Sequence, residues 1–68
     1  MIREEIGKNI KKARQSKGFT MQSLADKIGI SRVSITRFES GKENLTIDTI
    51  QKLADAIGVH ITDILCKK

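Results

Sequence analysis

Residues 20–41, TMQSLADKIGISRVSITRFESG, predict two short helices joined by a sharp turn. Thr20 and Ser31 each stand one residue before an apolar pattern with helical spacing, which is where helix N-caps are found. Gly29 closes the first helix and Gly41 the second, because glycine readily takes the left-handed conformation that ends a helix. The expected helices are Met21–Ile28 and Arg32–Ser40.

The two predicted helices divide their residues between an inner and an outer face. Residues i, i+1, i+4 and i+5 lie on one face of a helix, so one face of the second helix points away from the first helix. The inner set is Leu24, Ala25, Ile28, Gly29, Ile30, Ile35 and Phe38, and the outer set is Ser31, Arg32, Val33, Ser34, Thr36 and Arg37.

The remaining chain predicts three more helices, at residues 3–17, Ile47–Ile57 and 61–66. Apolar residues recur at helical spacing in each of them. Thr46 is the expected N-cap of the fourth helix, and Asp63 can cap the start of the fifth. The length of 68 residues fits one domain, residues 1–68. The stripe expected on the fourth helix is Ile47, Ile50, Leu53, Ala54 and Ile57.

Charge is distributed unevenly along the chain, whose formal net charge is +5. Residues 6–37 contain eight basic residues and one acid, whereas residues 38–66 contain two basic residues and five acids. This asymmetry predicts that the first half of the chain faces a polyanion and that the second half does not. A general contribution to solubility is the alternative explanation.

The sequence disfavours several other classes of protein. Cys66 is the single cysteine, so no intramolecular disulfide can form, and a reducing cytoplasm is the expected location. No apolar run approaches the length of a membrane span, and no signal peptide opens the chain. We expect no enzyme activity, metal, cofactor or small-molecule ligand, because His, Cys and carboxylates are not grouped at catalytic or ligating spacing.

The sequence resembles the phage repressor/Cro-like (XRE) helix-turn-helix family along nearly its whole length. Ala25 lies four residues before Gly29, and Ile35 lies six residues after it, as in that motif. Family-like stretches also include IGKNIKKAR at residues 6–14 and ITDIL at residues 61–65. The resemblance implies a compact, all-α, five-helix, lambda-repressor-like DNA-binding domain in which helices 2 and 3 form the motif, about residues 20–41.

For such a domain, the resemblance implies that helix 3 enters the major groove of double-stranded DNA with its N-terminal end toward the bases. The residues expected to contact bases are Arg32, Val33, Thr36 and Arg37. An arginine can bind guanine O6 and N7 together, and a valine can touch a thymine methyl group. An ordinary solvated helix face is the alternative for the two arginines. The expected phosphate contacts are Thr20, Gln22, Ser31, Ser34, Lys42, Asn44 and Thr46.

Other positions are interpreted against the family pattern. Arg14 and Glu39 match a pair that forms a partly buried salt bridge between helices 1 and 3, with two unrelated surface charges as the alternative. Met21 stands where a glutamine usually bonds a phosphate, so either Gln22 supplies that contact or the contact is absent. His60 stands where a hydroxyl N-cap is common, and we expect it to have an exposed capping or packing role, with pH sensing as the alternative.

The predicted function is a sequence-specific DNA-binding transcription regulator, either a repressor or an autoregulatory controller like those of restriction–modification systems. One helix 3 reads only a few base pairs, so we expect a homodimer on a palindromic operator. An antitoxin-type or other interaction module is the alternative, although only two residues follow the last predicted helix. Candidates for the dimer interface are Ile57, Val59, Ile61, Ile64 and Cys66, although some of them must belong to the core.

Overall fold

The computed structural model describes residues 3–65, and these residues fold into five helices. The helices are α1 (Arg3–Ser16), α2 (Met21–Ile28), α3 (Arg32–Ser40), α4 (Ile47–Ile57) and α5 (Ile61–Leu65). The predicted all-α fold is confirmed, and α2, α3 and α4 have the predicted bounds. The structure ends α1 one residue earlier than predicted, and Cys66 lies outside the described residues.

The core is an aliphatic cluster to which all five helices contribute. α1 packs against α3 and α5, while α2 packs against α3 and α4. α3 is therefore held by α1 and α2 together, which fixes its position in the domain. The buried residues of the cluster are Ile6, Ile10, Leu24, Ala25, Ile35, Ile50, Leu53, Ala54, Ile57 and Ile64.

One position of the predicted α4 stripe does not enter the core. Ile47 is 56% exposed, whereas Ile50, one turn later, is 1% exposed. Ile47 is the first residue of the helix, and the first turn of α4 extends past the edge of the core. Leu45, from the loop before α4, packs against the core as a partly buried residue.

At Gly7, α1 lies very close to the backbone of α3. A Cβ atom at this position would collide with the backbone oxygen of Glu39 and lie 2.7 Å from that of Phe38. Both oxygens belong to the backbone of α3 and cannot move unless the helix shifts. Glycine therefore lets α1 lie directly against α3, although it weakens an isolated helix by about 1 kcal/mol relative to alanine.

Polar contacts fix both the position and the start of α5. The side-chain amide of Asn9 in α1 donates to the backbone oxygen of Ile64 at 2.7 Å. The backbone N–H of His60 donates to Oδ2 of Asp63 at 3.2 Å, so Asp63 caps the helix as predicted. His60 takes part in this cap through its backbone, while the residue as a whole is exposed. Across residues 3–65, no helix has the length and apolar character needed to cross a membrane.

Candidate nucleic-acid interface

The turn between α2 and α3 depends on the conformation of Gly29. Its φ of 89° lies in the left-handed region, and its N–H donates to the backbone oxygen of Ala25 at 2.8 Å. The N–H of Ile30 donates to the same oxygen at 3.0 Å. A Cβ at Gly29 would meet nothing within 4 Å, so the backbone conformation and not a lack of space requires glycine.

Small and branched side chains fix the angle between α2 and α3. Ala25 and Ile35 are both fully buried, as the predicted inner set requires. Ile28, Ile30 and Phe38 pack against the core but remain partly exposed. The inner faces of the two helices are thus joined by close packing, and the outer face of α3 is directed toward solvent.

The outer face of α3 exposes the four residues that were predicted to contact bases. We call Arg32, Val33, Thr36 and Arg37 the reading face, and the structure exposes all four of them. Val33 is 64% exposed, so its side chain is accessible for an apolar contact. The face combines two cations, a hydroxyl and an aliphatic group, which are groups able to distinguish the edges of base pairs.

Arg37 already has a partner on this face. Its Nε donates to Oε1 of Glu43 at 2.8 Å, and the two side chains are 55% and 39% exposed. Glu43 is not among the residues predicted to form the site. The two residues are six positions apart across the end of α3, and no helical periodicity connects a helix residue with a residue of the following loop.

The N-terminus of α2 contacts the reading face through Met21. The hydroxyl of Thr36 lies 3.5 Å from Sδ of Met21, and it also donates to the backbone oxygen of Arg32 at 3.1 Å. Gln22, the neighbour of Met21, donates from Nε2 to Oδ1 of Asp26 at 2.9 Å on its own helix. In this structure Gln22 therefore does not take the place of Met21 beside α3.

Three residues predicted to bind phosphate are the N-caps of α2, α3 and α4. In each cap the side-chain oxygen accepts from the backbone N–H three residues later, at 3.0–3.2 Å. The start of a helix favours anions, because its first N–H groups are unpaired and the helix dipole is positive there. These caps are Thr20, Ser31 and Thr46, which bond Ser23, Ser34 and Thr49, respectively.

The other predicted phosphate ligands surround these caps. Ser34 shares a hydroxyl–hydroxyl hydrogen bond of 3.2 Å with Ser31. Lys42 and Asn44 are exposed in the loop between α3 and α4, next to Glu43. Gln22 is exposed on α2. The structure therefore leaves all of them accessible from solvent to some degree.

Arg14 and Glu39 form a buried ion pair that joins α1 to α3. Nε and Nη2 of Arg14 donate to the two carboxylate oxygens of Glu39 at 2.6 and 3.1 Å. Nη1 donates to the backbone oxygen of Phe19 at 3.0 Å. The side chains are only 7% and 5% exposed, so neither is accessible to DNA. Seven other basic residues within positions 6–37 are exposed.

Burial divides the residues of the predicted dimer interface into two groups. Ile57 and Ile64 are 3% and 0% exposed and belong to the core, where their side chains face the other helices rather than a partner. Val59 and Ile61 are partly buried against the core and partly exposed. Cys66 lies outside the described residues. Within residues 3–65, no group of three or more His, Cys, Asp or Glu residues could hold a metal ion.

This fold, with an exposed helix set on a helix–turn–helix frame, defines a class of DNA-binding regulators. The model of the HTH_3 helix-turn-helix family matches residues 10–64. The chain belongs to this family.

Two relatives illustrate the family. The SPbeta prophage-derived uncharacterized HTH-type transcriptional regulator YonR of Bacillus subtilis is 41% identical over 62 residues, which are 91% of this chain and 56% of that protein. Antitoxin HipB of Escherichia coli strain K12 is 33% identical over 58 residues, 85% of this chain and 66% of that protein. The chain thus spans little more than half the length of the first relative and about two thirds of the second.

Two solved structures have the same fold. The restriction-modification controller protein C.AhdI from Aeromonas hydrophila superposes with a TM-score of 0.83 at 26% identity, covering 90% of this chain and 92% of that one. The master regulator for biofilm formation SinR, solved in complex with DNA, superposes with a TM-score of 0.80 at 27% identity, covering 90% and 98% of the two chains. The predicted likeness to controller proteins is therefore confirmed at the level of structure.

Proposed function

We propose that this protein is a sequence-specific transcription regulator that binds a palindromic operator as a homodimer and reads it with α3. The observation that carries the proposal is the reading face. Arg32, Val33, Thr36 and Arg37 are exposed side by side on a helix whose inner side is fixed by the core. A rigid helix presenting arginines and an aliphatic group suits the major groove, where each base pair displays a distinct pattern.

Phosphate contacts would fix the register of α3 on the duplex. The caps at Thr20, Ser31 and Thr46 place hydroxyl groups and positive helix ends on solvent-exposed parts of the domain. Lys42 and Asn44 would add contacts from the loop after α3. Such contacts supply affinity without sequence information, and the reading face would supply the selectivity.

Dimerisation follows from the small number of base pairs that one recognition helix can read. Two copies on half-sites one helical turn apart, about 34 Å, would double the sequence that is read. Val59 and Ile61 remain as residues of the dimer surface, because they are partly exposed apolar groups. A regulator of this kind, repressor or autoregulatory controller, would respond to its own concentration through the monomer–dimer equilibrium.

The test is a selection from random-sequence duplexes at moderate salt, followed by binding measurements on selected and unselected DNA. We expect a palindromic sequence and a specificity ratio of roughly 10³ or more. Light scattering on the complex should show two protein chains per duplex. A specificity ratio near one would contradict the proposed function, and a single chain on an asymmetric site would contradict the dimer.

The likeness to antitoxin HipB supports a second candidate function, a module that neutralises a partner protein and binds DNA only together with it. The same selection separates the two candidates. Specific binding by the chain alone supports the regulator. Specific binding that appears only when a partner protein is added supports the antitoxin-type module.

A further inference from the structure

Glu43 places a negative charge beside the surface proposed to meet DNA. Its carboxylate contacts Arg37, a member of the reading face. A carboxylate near phosphates opposes binding, since affinity for DNA rests largely on neutralising phosphate charge. The stability of the fold does not account for the pair, because ion pairs this exposed contribute little to folding. What matters about the pair is therefore its position, because Glu43 contacts one of the four residues of the reading face.

The geometry of the contact leaves Arg37 able to bind a base. Oε1 of Glu43 accepts a hydrogen bond from Nε of Arg37 at 2.8 Å, and neither terminal nitrogen of Arg37 bonds another residue among positions 3–65. An arginine reads guanine with two N–H groups directed at O6 and N7. The two terminal nitrogens can supply these donors while the Nε–H group stays hydrogen-bonded to Glu43.

Holding the guanidinium in advance also lowers the entropic cost of binding. A free arginine side chain has many rotamers, and ordering it on binding opposes association. The contact with Glu43 orders the Arg37 side chain in the free protein. Glu43 itself lies in a loop that is anchored on both sides. Lys42 N–H donates to the backbone oxygen of Arg37 at 3.2 Å, and Leu45 packs against the core.

We propose that Glu43 is a specificity-determining residue, which positions Arg37 for a base and penalises DNA on which Arg37 finds no suitable acceptors. This inference rests on the proposed function. On the matching site, the bonds of Arg37 to the base offset the repulsion between Glu43 and the phosphates. On other DNA the repulsion is not offset. Glu43 therefore favours the matching site both by positioning Arg37 and by weakening the binding of other sequences.

The experiment compares the wild-type protein, Glu43→Gln, Arg37→Ala and Asp55→Asn in parallel selections from duplexes with a random segment of roughly 20 base pairs, enough for two half-sites. Arg37→Ala identifies the base position that Arg37 reads. Asp55→Asn is the matched control, since it also removes an exposed carboxylate that accepts one side-chain N–H, from Gln51 on α4. Far-UV circular dichroism and thermal melts establish that each variant is folded.

We expect Glu43→Gln to broaden the base preference at the position that Arg37→Ala identifies, and at no other position. Its ratio of specific to non-specific affinity should fall roughly tenfold, the scale of one bidentate base contact. Its non-specific affinity should rise, with a salt slope steeper by about one unit. Asp55→Asn should change neither the preference nor the ratio.

The outcomes separate this inference from the proposed function. A wild-type ratio near one overturns both. A specific wild type with an unchanged preference in Glu43→Gln overturns the role of Glu43 alone, and so does a general gain in affinity that leaves the ratio unaltered. An equal effect of Asp55→Asn overturns it as well, because overall charge would then explain the result.

Discussion

Two Arg–Glu ion pairs occur among residues 4–65, whose side chains the structure describes, and the two pairs have opposite surroundings. Arg14 and Glu39 are 7% and 5% exposed, whereas Arg37 and Glu43 are 55% and 39% exposed. The first pair cannot separate without leaving a charge in a medium of low dielectric constant. The second pair is exposed to solvent, so its loss leaves no buried charge and changes the folding stability little. The same two residue types therefore form a structural joint between α1 and α3 in one place and a solvent-exposed contact in the other.

The largest effect is expected when the buried pair is broken from one side. Arg14→Met should lower the free energy of unfolding by about 3–5 kcal/mol, because the carboxylate of Glu39 is left buried and unpaired. The substitution also removes the hydrogen bond to the backbone oxygen of Phe19. Urea unfolding followed by circular dichroism measures the change.

Two further variants test the role of the buried pair if Arg14→Met does not fold. Glu39→Gln preserves shape and should cost less, while the double variant Arg14→Met/Glu39→Leu should recover a large part of the lost stability, since no charge remains buried. If Arg14→Met is as stable as the wild type, the Arg14–Glu39 pair is not a structural joint and does not differ in this respect from the Arg37–Glu43 pair.

The joint between α1 and α3 also depends on Gly7. Gly7→Ala should destabilise the fold by about 1–3 kcal/mol, because the added methyl group meets two backbone oxygens of α3 that cannot move independently. Thermal unfolding measures the change. Lys11→Ala, on the exposed face of α1, is the control and should be nearly neutral. A stabilised Gly7→Ala would mean that α1 and α3 can move apart.

Removal of the exposed arginine should affect binding and not folding. Arg37→Ala should weaken binding to the selected site by about 1–3 kcal/mol and relax the preference at one base position. Its unfolding midpoint should stay near that of the wild type. Titrations on a set of single-base variants of the site measure both effects. Equal losses on every sequence would instead make Arg37 a phosphate contact.

The smallest effect is expected from Glu43→Gln on stability. The free energy of unfolding should change by no more than about 0.5 kcal/mol, since an exposed ion pair contributes little. Urea unfolding at low and at moderate salt measures it. A loss comparable to that of Arg14→Met would show that both pairs are structural, and the contrast between them would disappear.

Much of the frame could be predicted from local pattern. The hydroxyl caps Thr20, Ser31 and Thr46 marked the starts of α2, α3 and α4, and Gly29 and Gly41 marked the ends of α2 and α3, because capping and positive φ depend on neighbouring residues. Ile47 shows the limit of that reasoning. Its spacing matched the inner stripe, but whether a position is buried depends on how far the core extends along the helix.

The candidate site was only partly accessible to such reasoning. Helical periodicity placed Arg32, Val33, Thr36 and Arg37 on one exposed face. Periodicity does not reach from a helix into a loop, so it gave no signal for the contact between Arg37 and Glu43. For the residues of the predicted dimer interface, apolarity alone did not show which belong to the core, as Ile64 does, and which are exposed.

By itself, the sequence determined the number and limits of the central helices, the charge asymmetry and the set of side chains on the outside of α3. These properties depend on local propensity and periodicity, which the order of residues contains directly. The tertiary structure decided which charged residue meets which, and how much water surrounds each pair. Solvent exposure results from the packing of all five helices of residues 3–65, and it separates the buried Arg14–Glu39 joint from the accessible Arg37–Glu43 contact.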